Sequence, residues 1–95
     1  MQAVLYVAHG SRVKAGVEEA VRFLETVKPY INADIQEICF LELAEPTIAK
    51  GVELCVSKGA TAIAVIPVLL LTANHAKYDI PNEINLMRKR YPSIS

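Results

Sequence analysis

Ninety-five residues with 53% hydrophobic side chains describe one small folded domain and exclude a disordered chain. Lys plus Arg and Asp plus Glu both number 10, so no global charge draws the chain to nucleic acid or an anionic membrane, and any anionic ligand must be held by a local cluster. The two cysteines, Cys39 and Cys55, lack metal-binding spacing and read as reduced core thiols, as expected of a cytoplasmic protein.

Ala3 to Ala8 (AVLYVA) is an apolar strand, preceded by no basic n-region of a signal peptide. His9-Gly10-Ser11 forms the turn after it, with Gly10 permitting a tight backbone. From Lys14 to Ile31 the apolar residues Val17, Ala20, Val21, Leu24, Val27 and Ile31 recur at helical spacing, and Pro29 is expected to distort the last turn. Ser11 is placed to cap this helix. Ile35 to Leu43 reads as a second strand, apolar on both faces toward its end as a central parallel strand requires, and interrupted by Glu42. Pro46 opens a second helix with Ile48, Val52, Cys55 and Val56 on its buried stripe, and Gly59 closes it.

Ala62 to Pro67 is a continuous apolar run, read as a third strand buried on both faces. The wider apolar stretch from Ala60 to Ala73 is shorter than the roughly 20 residues of a membrane span. A loop carrying His75 and Lys77 follows, and a third helix opens at Asp79 and Pro81 with Ile84, Met87 and Tyr91 on its inner face. Arg88, Lys89 and Arg90 suit its C-terminal dipole. The order βαβαβα predicts an α/β, three-layer αβα domain around a parallel, doubly wound sheet with right-handed crossovers.

Ligands of such sheets bind beyond the carboxyl ends of the strands. His9 and His75 follow two strands expected to be neighbours, and Glu42 ends the remaining one. Two imidazoles and a carboxylate suit a first-row divalent ion such as Fe²⁺, Co²⁺, Ni²⁺ or Zn²⁺. Glu45 competes with Glu42, but its place before Pro46 suggests a helix-start role. Arg12, Lys14 and Lys77 read singly as solvated surface charge; grouped around a cleft they can hold a polycarboxylate. A nucleophilic role for Ser11 needs a base and an oxyanion site that the sequence does not establish.

The segments AHGSR, FLELAEPTI and PVLLLTANHAKYDIP resemble the sirohydrochlorin chelatases, over almost the whole chain. These ATP-independent, class II enzymes insert Fe²⁺ or Co²⁺ into sirohydrochlorin during sirohaem or cobalamin synthesis. The resemblance implies that His9 and His75 bind the incoming metal, which is a substrate rather than a permanent cofactor, with Glu42 assisting. It gives Ser11, Arg12, Lys14 and Lys77 the substrate's carboxylates to hold. The match is nearest the longer bacterial members, which carry two half-domains in one chain.

The alternatives are a non-catalytic metal or tetrapyrrole carrier and, less favoured, a phosphohistidine enzyme. Phosphohistidine enzymes place Arg directly before the strand-ending His, where this chain has Ala8. Residues 91–95 read as the end of the third helix followed by the first residues of a fourth strand. The expectation is therefore a fragment, weak or inactive alone, that self-associates or pairs with a second half-domain.

Overall fold

The computed structural model describes residues 1–68, 74–92 and 94, with residues 74–80 as helical backbone. In chain order the elements are β1 (Gln2–Ala8), α1 (Lys14–Val27), β2 (Ile35–Phe40), α2 (Ile48–Ser57), β3 (Ala62–Val68) and α3 (Asn74–Arg90). The strands form one parallel sheet in the order β2-β1-β3, the α/β arrangement expected of the element order.

Alternation along β1 divides the interior in two, because successive side chains leave a strand on opposite faces. Ala3, Leu5 and Val7 pack with Ile35 and Cys39 of β2, with Ile48, Val52 and Cys55 of α2, and with Met87 of α3. Val4 and Tyr6 point to the other face and pack with Leu24 of α1. Helices therefore cover both faces, and every residue of β1 from Ala3 to Ala8 is buried.

Tyr6 brings a polar tip into the α1 side of this core, and it is satisfied there. Its hydroxyl donates to Gln36 Oε1 at 2.7 Å. The Gln36 amide in turn donates to the carbonyls of Lys28, Ile31 and Ala33 at 3.1, 3.3 and 3.2 Å. One side chain thus ties the end of α1 and the loop after it to β2. Pro29 distorts this region as expected, since residues Lys28–Tyr30 form a 3-10 turn rather than continuing the α-helix.

Several boundaries and burials differ from the sequence reading. The central strand is β1; β2 lies at one edge of the sheet and ends at Phe40, so Glu42 belongs to the loop beyond it. β3 lies at the other edge and is only partly buried, with Ile66 38% exposed. Its unbroken apolar run does not mean cover on both faces. Of the stripe on α1, only Leu24 is buried. α2 starts at Ile48 behind an N-cap, Thr47, whose Oγ1 accepts from Lys50 N at 3.2 Å, so Pro46 precedes the helix instead of opening it. α3 starts at Asn74, which makes His75 a first-turn residue and leaves Pro81 inside the helix. Residues 91, 92 and 94 form no strand; Ile94 N donates back to Tyr91 O at 3.1 Å. Among the described residues no helix is long and apolar enough to cross a membrane.

Candidate functional site

The parallel ladder does not stop where the strands formally end. Leu41 N donates to Ala8 O at 2.9 Å and Glu42 N to His9 O at 3.2 Å. This extension carries the β1–β2 register, in which Ala8 faces Phe40, onward to set His9 beside Glu42. Their side chains meet, with His9 Nε2 and Glu42 Oε1 3.3 Å apart.

Gly10 makes that approach possible. Its φ is +100°, a conformation glycine adopts without steric cost. A Cβ there would lie 1.7 Å from the Glu42 carbonyl oxygen, so only a glycine lets the two backbones come this close. Glu42 is thus held by its N–H and by its carboxylate against His9, with its carbonyl passing close over Gly10. The chain then turns sharply, with Leu43 at φ 64°. It returns so that Pro46 O accepts from Phe40 N at 2.8 Å.

The His9 and Glu42 side chains are 37% and 44% exposed. An ion pair this open to water is worth only about 0–1 kcal/mol. Folding therefore gains little from the juxtaposition. An imidazole nitrogen and a carboxylate oxygen are donors to first-row divalent ions, and a carboxylate beside an imidazole also orients the ring.

A cavity of about 610 Å³ opens beside the pair, within the size range of small-molecule sites. Its floor comes from Phe40, Ala8 and Val68, which the sheet register places side by side. Gly16, Val17, Ala20 and Phe23 of α1 line it further, together with Glu19, and His9, Gly10 and Ser11 border it at the end of β1. The partly exposed stripe of α1 is thereby explained: part of its apolar face lines this cavity.

The expected site residues fall into three groups. His9 and Glu42 are brought together, and Ser11 lines the adjoining cavity. Ser11 does not cap α1, a correction to the expectation: its Oγ accepts from Val13 N at 3.0 Å, closing a local turn, and Val13 occupies the N-cap position. Arg12 and Lys14 are exposed and do not line the cavity, and Lys14 Nζ lies 3.9 Å from Glu18 Oε1. Glu45 is exposed, two residues ahead of the Thr47 cap. The side chains of His75 and Lys77 lie outside the described residues. Among the described residues no cluster of three or more His, Cys, Asp or Glu assembles.

Phe23 was missing from the sequence reading. It is 55% exposed yet lines the cavity. The available signal was an aromatic residue out of phase with the apolar stripe, next to Leu24. Cys39 and Cys55 are buried and free, and burial pushes their thiols up to about 12 and about 11, the latter helped by nearby Glu37. They take no part in the site.

A family model described as CbiX matches residues 3–95. A sirohydrochlorin ferrochelatase of Priestia megaterium is 58% identical over 94 residues, covering 99% of this chain and 35% of that protein. A structure of SirB from Bacillus subtilis with Fe³⁺ superposes with a TM-score of 0.91 at 61% identity, over 98% of this chain and 37% of the other. The sirohydrochlorin chelatase SirB from Bacillus subtilis subspecies spizizenii, in complex with cobalt, gives a TM-score of 0.91 at 62% identity, over 98% and 40%. The chain thus spans little more than a third of the length of these relatives.

Proposed function

The chain belongs to the CbiX family, and from that premise we propose that it carries the metal-handling half of a sirohydrochlorin chelatase. The observation that supports this most is the His9–Glu42 pair at 3.3 Å, at the carboxyl edge of the sheet and beside a cavity of about 610 Å³. In this reading a divalent iron or cobalt ion is a substrate, received by His9 with His75 as the second imidazole. Glu42 orients the His9 ring and shares the metal's charge.

Insertion must deliver a cation and remove the pyrrole N–H protons. A neutral imidazole suits both tasks, since it ligates without a full charge and accepts a proton near neutral pH. A site with few protein ligands releases its ion readily, whereas a closed four-ligand site would retain it. Ser11, Arg12, Lys14 and Lys77 hold the substrate's carboxylates. A second half-domain, in the same longer chain or in a second copy, supplies the opposite wall of the cleft. The short share of the relatives covered by this chain favours that arrangement.

The test is absorption spectroscopy of sirohydrochlorin mixed with the protein and Co²⁺ or Fe²⁺. The expected result is a binding shift, then a metal-dependent change that is lost in His9→Ala and slowed in Glu42→Gln. Absence of tetrapyrrole binding, or a metal-dependent change undiminished in His9→Ala, overturns the assignment.

A further inference from the structure

Leu43 stands where folding alone gives no reason for a leucine. Its φ of 64° lies in the left-handed region, which crowds a Cβ and which glycine or asparagine enters more readily. The residue is 51% exposed, and neither core cluster of the described residues includes it. Among the described residues, no core packing offsets the strained backbone or the wetted apolar side chain.

The left-handed backbone has a cause in the surrounding hydrogen bonds. Glu42 is bonded to His9 by its N–H and lies close over Gly10, and Phe40 N is bonded to Pro46 O, so the chain must reverse within three residues. A left-handed residue directly after Glu42 achieves that reversal. The choice of leucine there is not explained by the turn, which an asparagine would make with less strain. Unrelieved strain of this kind persists at sites where the residue serves a ligand.

We infer that the Leu43 side chain is an apolar rest for the face of the tetrapyrrole, setting the ring over the His9–Glu42 pair. The inference builds on the chelatase reading above and goes beyond it to a substrate-positioning residue. A tetrapyrrole presents an apolar ring face with its carboxylates at the periphery, so the ring needs an apolar contact beside the metal-delivering groups. Leucine provides one without competing for the ion. It sits on the loop that carries Glu42 and outside the lining of the cavity under α1, so its contact is additional to that apolar wall.

The test compares Leu43→Gly, Leu43→Asn and Leu43→Met with the wild-type chain by three measurements: thermal denaturation, titration with sirohydrochlorin, and titration with Co²⁺ alone. The glycine and asparagine variants should melt no lower than wild type, because both residues suit the left-handed turn. They should bind sirohydrochlorin about tenfold more weakly while Co²⁺ affinity stays put, and Leu43→Met should retain wild-type affinity. A lowered melting point in both variants would mark Leu43 as merely structural. Unchanged sirohydrochlorin affinity in both, or a loss of Co²⁺ affinity equal to the loss of sirohydrochlorin affinity, also overturns the inference. If wild type itself binds no sirohydrochlorin, this inference and the chelatase reading fail together; if wild type binds and the variants match it, only this inference fails.

Discussion

Replacing Gly10 with alanine should unseat Glu42, and a second glycine in the same chain supplies the control. Gly10 and Gly59 have nearly the same φ, +100° and +101°. A Cβ at Gly59 meets nothing within 4 Å, whereas a Cβ at Gly10 would sit 1.7 Å from Glu42 O and 2.9 Å from Glu42 C. Gly59→Ala therefore isolates the backbone penalty, about 1–2 kcal/mol for a residue with a Cβ in that region.

Gly10→Ala carries the same penalty plus the clash. Ordinary contact starts at 3.4 Å, so the Glu42 carbonyl must retreat by roughly half of that distance. The His9 O to Glu42 N hydrogen bond is already 3.2 Å long and will not survive such a shift. Losing it, and straining the Ala8 O to Leu41 N bond beside it, adds about 1–2 kcal/mol. The total is about 2–4 kcal/mol, out of the 5–15 kcal/mol typical of a small domain.

Urea denaturation followed by circular dichroism measures both variants against wild type. Co²⁺ titration tests whether the proposed metal pair, His9 and Glu42, is disturbed. Gly10→Ala should lose more stability than Gly59→Ala by about the value of one or two hydrogen bonds, and should bind Co²⁺ more weakly, whereas Gly59→Ala should bind it normally. Equal stability losses in the two variants would refute the close-approach argument. Unchanged Co²⁺ binding in Gly10→Ala would refute the link between that approach and the site.

Gln36→Leu should destabilise by about 2–3 kcal/mol, because it leaves the buried Tyr6 hydroxyl and the carbonyls at the end of α1 without their partner; a urea midpoint within error of wild type would show that water replaces it without cost. Stability should also fall at alkaline pH. Burial raises the Cys39 and Cys55 thiols from 9.0 to about 12 and about 11, so between those values the native state binds more protons than the unfolded state. That contribution is fully present below pH 9.0 and is lost as pH rises through the folded values. The slope is at most about 1.4 kcal/mol per pH unit for each thiol, and the Tyr6 hydroxyl, also raised by burial, acts in the same direction. Urea midpoints measured upward from pH 8 should decline more steeply in wild type than in a variant with both cysteines replaced by alanine; parallel declines would remove the thiols from the account.

The order of elements, the parallel sense of the sheet and the presence of helices on both faces were legible in the sequence. They follow from local periodicity and from the need of a βαβ unit to bury its apolar stripes. The turn at His9-Gly10-Ser11 was legible too, because few residues other than glycine accept its backbone. Burial was less so. The run from Ala62 to Pro67 is as apolar as β1, yet it lies at an edge, since an apolar run records a tolerance for burial without recording which strands flank it. Phe23 escaped for a related reason: helical phase says which side of α1 a residue is on, and only the placement of the helix over the sheet creates the cavity it lines.

Residue types and their place after strands pointed to His9 and Glu42. What put them 3.3 Å apart is the β1–β2 register, extended past Ala8 and Phe40 by two further backbone hydrogen bonds. Register is a relation between segments distant in the chain, and it is settled when the two strands pack together. The left-handed backbone of Leu43 belongs to the same class of fact. Nothing in a leucine asks for it; the need arises where Glu42 is clamped to one strand and the chain must still return to start α2.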